Sequence, residues 1–227
     1  MWQRLSKTKC VNGDVIMSEQ RKIANGVLKV SLEGIQDIVG SNGLKSILNY
    51  GHLERYIDEV PPQNEELEIP LEDLQKIYVC LRELFGNKGA GSIQLRVGRE
   101  NARRALEGRP AMAKSIKLAT RLIPEHKKMG LALQKYADDI QKNIPSGVDS
   151  PHVEVKEEDD YFFFTNKAHF ESEGITSEKP VCKVTLGMLQ YIMEWITGHP
   201  HEVEEIECRA MGHPADVFRI SKARMEE

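Results

Sequence analysis

The sequence predicts an α+β fold, in which a helical N-terminal half packs on a small antiparallel sheet with one C-terminal helix and encloses an apolar pocket. Two observations support this prediction. Apolar residues recur at helical spacing through much of residues 31–143. The last third instead contains short alternating or aromatic segments around one helical stretch. Strands that pair around a helix, beside a helical half, are typical of an α+β domain.

The helical half divides into segments at glycine and proline residues. Residues 31–39 and 43–50 are predicted as two short helices separated by a glycine-containing turn. A further helix follows Pro70, because proline suits the first helical turn, and its apolar stripe is Leu71, Leu74, Tyr78, Leu81 and Phe85. Helical spacing then continues over about 92–107, and again over about 112–143 with an interruption at a proline.

The C-terminal part reads differently. Residues 152–156 alternate between polar and apolar side chains, and residues 161–165 form a short aromatic run, so both are predicted as strands. A helix is predicted over 184–197. Two more strands, 202–210 and 216–221, surround a turn.

Length and composition favour one domain with an extension. We expect residues 1–25 to form a loose polar arm and residues 26–227 a single ligand-binding domain. The balance of 40% hydrophobic and 29% charged residues excludes collagenous and disordered classes. Neither an apolar run of about 20 residues nor a signal-peptide region is present in the sequence. We therefore expect a cytoplasmic protein with no membrane span.

The net charge of −4 conceals an uneven distribution. Residues 88–128 carry eleven Lys and Arg against three Glu, a local charge of +8 that leaves −12 for the rest. A basic stretch of this kind suits an acidic partner, a lipid surface or nucleic acid. Because the whole chain is acidic, we interpret it as a solvated helical face. Nucleic acid is not expected, and a docking surface stays open.

Two of the four cysteines lie where a metal site can form. Cys182 precedes the last predicted helix, Cys208 follows the next strand with Glu205 nearby, and Asp216 begins the final strand. Two thiolates and two carboxylates suit a tetrahedral divalent ion such as zinc. Residues three apart on a regular strand point to opposite faces, so Glu205 and Cys208 can converge only across a bulge. Spacing alone leaves the alternative of two buried thiols and surface acids.

The closing segment resembles a known family. The run from Glu205 to Ile220 contains an acid, two residues, Cys208, a turn with Gly212, and then Asp216-Val-Phe-Arg-Ile. It resembles the signature that closes vinyl-4-reductase domains. Two upstream stretches, Leu48-Asn-Tyr-Gly and Gly89-Ala-Gly-Ser-Ile-Gln-Leu-Arg-Val-Gly-Arg, are similar to other parts of that family's pattern. The resemblance covers roughly residues 25–222.

The resemblance implies a fold shared with haem–nitric-oxide-binding domains and with Golgi-transport tethering subunits. Some members are sensors that hold zinc through Cys, Glu, Cys and Cys, which correspond here to Cys182, Glu205, Cys208 and Asp216. The aspartate departs from the family pattern. Because an Asp oxygen can ligate zinc, the site either persists with two sulfurs and two oxygens or is lost, and His213 or His201 could substitute.

A pocket is expected where aromatic and methionine side chains gather. Tyr136, Phe163 and Trp195 are the candidate lining residues for a small hydrophobic or aromatic ligand. The alternative is that they only fill a core, since any domain of this size needs such residues. Haem is not expected, because no histidine stands out on a helix stripe as a proximal ligand.

Three functions remain open at this point. The first is a non-enzymatic binding or sensing domain that acts through a homodimer interface or another partner, with a structural zinc site. The second is a part in tetrapyrrole vinyl reduction, for which the chain shows no nicotinamide or flavin fingerprint. The third is an interaction module that docks through its basic stretch. No catalytic constellation is recognised, so an enzyme is not favoured.

Overall fold

The computed structural model describes residues 21–142 and 152–226 and confirms the α+β prediction. Within these residues most of the helices precede the four-stranded sheet along the chain, and the strands form a two-stranded and a four-stranded sheet. In chain order the elements are β1 (Lys22–Ala24), α1 (Asn25–Tyr50), α2 (Arg55–Asp58), β2 (Leu67–Pro70), α3 (Leu71–Glu107), α4 (Pro110–Ala119), α5 (Glu125–Lys142), β3 (Val153–Glu157), β4 (Tyr161–Asn166), α6 (Lys183–Thr197), β5 (His201–Glu207) and β6 (Asp216–Arg224).

The two long helices are each broken at a glycine, as the sequence predicts. Gly40 interrupts α1 with a φ of 76°, and Gly86 interrupts α3 with a φ of 67°. A positive φ suits glycine because it lacks a Cβ. However, α1 begins at Asn25 rather than near residue 31. The backbone N–H of Asn25 donates to the carbonyl of Glu66 at 2.9 Å, a tertiary contact that periodicity cannot reveal.

The predicted N-terminal arm, residues 1–25, lies mostly outside the described residues. Its last part is ordered into β1, which pairs antiparallel with β2 and aligns Ile23 with Ile69. This departs from the expectation of a loose arm. A strand of three residues carries too little alternation to be recognised in sequence, and only its partner strand defines it.

The four-stranded sheet has the antiparallel order β3-β4-β6-β5. Alternation along β4 directs Phe162 and Phe164 inward, and Phe164 lies opposite Phe218 on β6. Helices α5 and α6 cover this inner face through Leu133 and Met193, which are fully buried. The sheet, α5 and α6 therefore share one core.

The remaining helices surround a second core. It contains the fully buried Leu28, Ile35, Ile77 and Leu81 from α1 and α3. The two cores meet where α3 crosses α6, and at two positions the backbones of these helices approach each other directly.

Two glycines allow that close approach. A Cβ on Gly98 would lie 2.0 Å from the carbonyl oxygen of Val184, and one on Gly187 would lie 2.0 Å from that of Leu95. No side chain fits at either position. Helix α3 therefore connects the two halves, and its close backbone contact with α6 fixes the distance between the two helices.

Much of the basic stretch is balanced by ion pairs on α3. Arg99 pairs with Glu194 at 2.6 Å, and Arg104 contacts Glu33, Asp37 and Glu100. These arginines therefore have counter-ions within the fold. Separately, the described residues contain no helix that combines the length and the hydropathy needed to cross a membrane.

Candidate metal centre

The four residues predicted as metal ligands converge in the structure. Cys182 is the residue before α6, Glu205 lies on β5, Cys208 follows β5, and Asp216 begins β6. Each residue offers one ligand atom, and these four atoms all lie within 4.8 Å of one another. All four side chains are buried. The cluster joins the start of one helix to two neighbouring strands.

A bulge resolves the geometric problem posed by the sequence. Glu205 aligns with Phe218, yet Glu207 aligns with Val217, so the register shifts by one residue between them. The extra residue returns Cys208 to the buried face that Glu205 occupies. The acid and the thiol therefore point into the same space.

The turn between β5 and β6 brings Asp216 to the cluster. A short 3-10 helix, Arg209–Met211, folds back so that the N–H of Arg209 donates to Asp216 Oδ1 at 2.7 Å. The hydroxyl of Ser172 donates to Asp216 Oδ2 at 2.6 Å. Both carboxylate oxygens are thus oriented by protein donors, as is usual for acids that hold a metal.

Glu205 is held against the beginning of α6. Its carboxylate accepts a hydrogen bond from the N–H of Cys182 at 3.0 Å, and Lys183 Nζ lies 3.7 Å away. Burial raises the pKa of Glu205 to about 8. The carboxylate therefore lacks the compensation it needs to be charged in this interior position without a cation.

The two thiols differ in their acidity. A hydrogen bond from the Cys182 thiol lowers the pKa of Cys208 to about 6, and the backbone N–H groups of Val181 and Ala210 add to the effect. Burial raises the pKa of Cys182. One thiolate is therefore already favoured, while the second needs a positive partner to ionise.

Two further residues of the site were missed by sequence reasoning. His169 Nδ1 lies 3.3 Å from Cys182 Sγ and 3.7 Å from Asp216 Oδ2. Glu171 accepts the N–H groups of Val184 and Thr185, each at 2.9 Å, and so caps the first turn of α6. The only available signal was a His and a Glu in the loop ahead of Cys182, and loop residues carry no periodicity that reveals burial.

The donor set fits a closed tetrahedral ion. Zinc bonds of about 2.0–2.3 Å place neighbouring ligand atoms about 3.3–3.8 Å apart, so the cluster needs only a small contraction to bind. Two thiols and two carboxyl groups would supply all four ligands. An ion held by four protein ligands would have no position left for water or substrate, so its role would be structural.

The residues present do not fit haem, the other group that the fold implies. The described part of the chain buries two histidines, His169 and His201. Both ring nitrogens of each are engaged: His169 with Cys182 and Thr185, and His201 with backbone carbonyls of β6 and the hydroxyl of Thr197. His152 Nε2 is buried without a hydrogen-bond partner, but His152 lines neither of the two clefts described below. An axial ligand needs a free nitrogen directed into a cavity. His201 and the exposed His213 also lie outside the converging set of four.

The three residues predicted to line a pocket are not brought together. Tyr136 stacks on Phe164 with ring centroids 5.5 Å apart, so it fills the core. Phe163 lies on the opposite face of β4 from Phe164. Trp195 packs partly on the core and borders an open cleft of about 300 Å³. A second open cleft, of about 590 Å³, is lined mainly by acidic residues. Tyr136 and Phe163 line neither cleft.

Comparisons with known proteins agree with this architecture. Residues 162–222 match the V4R domain family, and this span includes all four converging residues. No curated protein matches the chain.

Solved structures resemble it over most of its length. A Cs H-NOX mutant carrying 4-cyano-L-phenylalanine has a TM-score of 0.60 at 17% identity, covering 90% of this chain and 100% of its own. An H-NOX structure described as giving insight into the mechanism of H-NOX activation has a TM-score of 0.56 at 17% identity, with 90% and 100% covered. An oxygen-binding H-NOX domain related to soluble guanylate cyclases has 0.55 at 18%, with 90% and 98% covered. The chain is therefore similar to the V4R domain over residues 162–222, within a fold similar to that of H-NOX domains.

Proposed function

We propose that this protein is a non-enzymatic ligand-binding domain whose C-terminal half is clamped by a structural zinc ion. The observation that carries the proposal is the convergence of Cys182, Glu205, Cys208 and Asp216, all buried. Buried acids and thiols are costly unless a cation or hydrogen bonds compensate them. A divalent ion supplies that compensation at the one place where all four meet.

The proposed zinc site, called the clamp below, lies between the start of α6 and the sheet. Cys182 immediately precedes α6, while the other three ligands belong to β5, the turn and β6. Helix α6 in turn touches α3 through Gly98 and Gly187, with no side chain between the backbones. A zinc ion would thus fix α6 to the sheet, so that a small shift of α6 is transmitted to α3 and the helical half.

Ligand binding is supported by the family and the fold. The V4R match spans the clamp, and the H-NOX domains of similar fold include one described as oxygen binding. The proposed ligand is a small hydrophobic or aromatic molecule rather than haem. His169 and His201 are already engaged, and His152, whose Nε2 has no hydrogen-bond partner, lines neither cleft. Its binding would bias the packing of α6 against α3, and the bias would pass to a homodimer interface or another partner.

Elemental analysis tests the clamp. Protein purified without added zinc should contain one zinc per chain, and Cys208→Ser should reduce this to a small fraction. Cys80→Ser is the matched control, since Cys80 is also buried but lies in the other core. A folded wild-type protein without metal, or equal zinc in both variants, would contradict the proposal.

Native mass spectrometry and solvent extraction test the ligand. A bound hydrophobic or aromatic molecule should be recovered from the purified domain and should raise its melting temperature when added back. A protein that carries no such molecule, and whose stability responds to none, would contradict the ligand-binding function while leaving the clamp intact.

A second candidate, an interaction module, is favoured by one surface. Leu118 and Leu122 are 69% and 93% exposed, and Lys114, Lys117 and Arg121 lie beside them in sequence. Exposed leucines among basic residues suit an acidic, amphipathic partner. Association with an acidic partner that weakens with salt would support this candidate. Light scattering of the purified chain would test the predicted homodimer.

A further inference from the structure

The cleft beside Trp195 lies apart from the metal centre and has a distinctive lining. It has a volume of about 300 Å³ and is enclosed by the end of α3, the helix α4 and the outer side of α6. Its lining residues are Leu106, Glu107, Pro110, Ala113, Lys114, Lys117, Tyr191 and Trp195. This volume is at the small end of ligand-binding sites, which suits a molecule of about one ring.

One wall of the cleft is aromatic. Tyr191 and Trp195 are four residues apart on α6, so their rings occupy neighbouring turns on the same side of the helix. Both are partly exposed, and Trp195 also packs on the core. The indole is therefore held in place while part of it remains free to contact a planar ligand.

The opposite wall is positively charged. Lys114 and Lys117 lie three residues apart on α4, and Lys117 Nζ is 5.0 Å from the centre of the Trp195 ring. Neither lysine has an ion-pair partner among residues 21–142 and 152–226. The one acid in the lining, Glu107, is already paired with Arg103 at 2.5 Å. The cleft therefore holds two ammonium groups without an acidic partner among the described residues, and that of Lys117 lies over the Trp195 ring.

Helix α4 is able to adjust to an occupant. None of its residues is buried, although its apolar side chains are spaced as in an amphipathic helix. A segment that buries so little surface can shift at low cost. The lysine wall can thus close on a ligand that rests on the fixed aromatic wall of α6.

We infer that this cleft binds a small aromatic carboxylate, with its ring against Trp195 and Tyr191 and its carboxylate between Lys114 and Lys117. The inference rests on the proposed ligand-binding function and names a site and a ligand class for it. Ring stacking accounts for the planar part of the ligand, and the paired ammonium groups account for its charge. Because α6 also begins at the metal centre, occupancy of the cleft acts on the helix that the clamp holds.

Tryptophan fluorescence tests the inference directly. The chain has two tryptophans, so Trp2→Phe leaves Trp195 as the only reporter. Benzoate is the probe, and benzyl alcohol is its neutral counterpart of similar size. We expect a saturable change of Trp195 emission with benzoate and an affinity for the alcohol at least about tenfold lower, because one charged contact contributes about 1.4 kcal/mol or more.

Lysine variants identify the site. Lys114→Gln combined with Lys117→Gln should weaken benzoate binding at least about tenfold and leave the alcohol unchanged. Lys128→Gln, which removes a basic residue of α5 that does not line the cleft, should have no effect. Equal affinity for benzoate and the alcohol, an unchanged affinity in the double variant, or the absence of a saturable response overturns the inference.

The same experiment separates this inference from the broader function. If extraction recovers a hydrophobic ligand that binds without altering Trp195 emission, the cleft assignment fails and the ligand-binding function stands. If neither benzoate nor any extracted molecule binds, both fail.

Discussion

The two halves of this molecule are stabilised differently. The helical half has a core of aliphatic and a few aromatic side chains, and its charges form ion pairs at the surface, such as those of Arg104. In the sheet half, buried acids and histidines lie among the apolar groups. Every buried acid and histidine in the described part of the chain lies in this half, namely His169, Glu171, His201, Glu205 and Asp216.

The sheet half therefore buries groups whose desolvation costs free energy, whereas an apolar core would not have this cost. Burying ionisable groups is unfavourable unless each is satisfied. Glu171 is satisfied by the first turn of α6, and Asp216 by Ser172 and Arg209. Glu205 has Lys183 Nζ 3.7 Å away, yet burial still raises the pKa of its carboxyl group to about 8. A metal ion at this point would account for the asymmetry.

Metal removal should produce the largest effect and should separate the two halves. Chelation withdraws the cation from the four converging ligands, and structural zinc contributes several kcal/mol to folding. We expect the melting temperature to fall by more than about 10 °C. Differential scanning calorimetry with and without chelator measures this, and re-adding zinc should restore the original transition. An unchanged transition would place the stability of the sheet half in its packing alone.

Gly187→Ala tests the joint between the halves. The new Cβ would lie 2.0 Å from the carbonyl oxygen of Leu95, so α6 and α3 must separate. We expect a loss of at least about 4 kcal/mol in the free energy of unfolding, measured by urea denaturation. Gly91→Ala, on the partner helix α3, is the control. Its Cβ would be 3.8 Å from the nearest atom, and the change should be neutral or stabilising by up to about 1 kcal/mol. Similar values for both variants would show that the helices do not touch by backbone.

Glu171→Ala tests a buried acid that binds no metal in this account. The substitution leaves the N–H groups of Val184 and Thr185 without acceptors in the interior. We expect a cost of about 3 kcal/mol, with zinc content retained. Glu173→Ala removes a half-exposed partner of Arg21 and should cost less than about 1 kcal/mol. Zinc loss from Glu171→Ala would make that residue part of the metal centre.

Glu100→Gln should give the smallest effect and concerns the helical half. Hydrogen bonds from Arg103, followed by those from Arg104, lower the pKa of Glu100 to about 2. A lowered pKa means that its contribution to stability is present above about pH 4.5 and is lost as the pH falls towards 2. The variant should therefore lose less stability than the wild type over this pH interval. Measurement of the melting temperature as a function of pH shows the difference. An unchanged acid limb would indicate that the ion pairs contribute nothing measurable.

Periodicity predicted most of the fold. The stripe on α3, the break at Gly86, the alternation in β4 and the helix α6 all follow from local spacing. The early start of α1 and the strand β1 were not predictable, because contacts with the distant segment around β2 determine them.

The candidate site was partly predictable for a similar reason. Cys182, Glu205, Cys208 and Asp216 follow from a closing motif, and the bulge that lets them converge was required by strand geometry. His169 and Glu171 lie in an irregular loop, where burial depends on tertiary packing. Of the predicted pocket residues, Trp195 borders a cleft. For the aromatic run of β4, the sequence does not reveal which side chains face the core. Phe163 and Phe164 point in opposite directions.

Cobalt(II) titration is the decisive test of the metal centre, because the absorption spectrum of the bound ion reports both its coordination geometry and the number of thiolate ligands. Metal-free protein titrated with cobalt should saturate at one equivalent and develop the intense visible bands of tetrahedral coordination, with a sulfur-to-cobalt charge-transfer band from two thiolates. Cys182→Ser should lose at least about half of that band, and Cys80→Ser should retain all of it. A weak octahedral spectrum without the charge-transfer band, or a band that disappears with Cys80→Ser, would contradict the assignment of the metal centre.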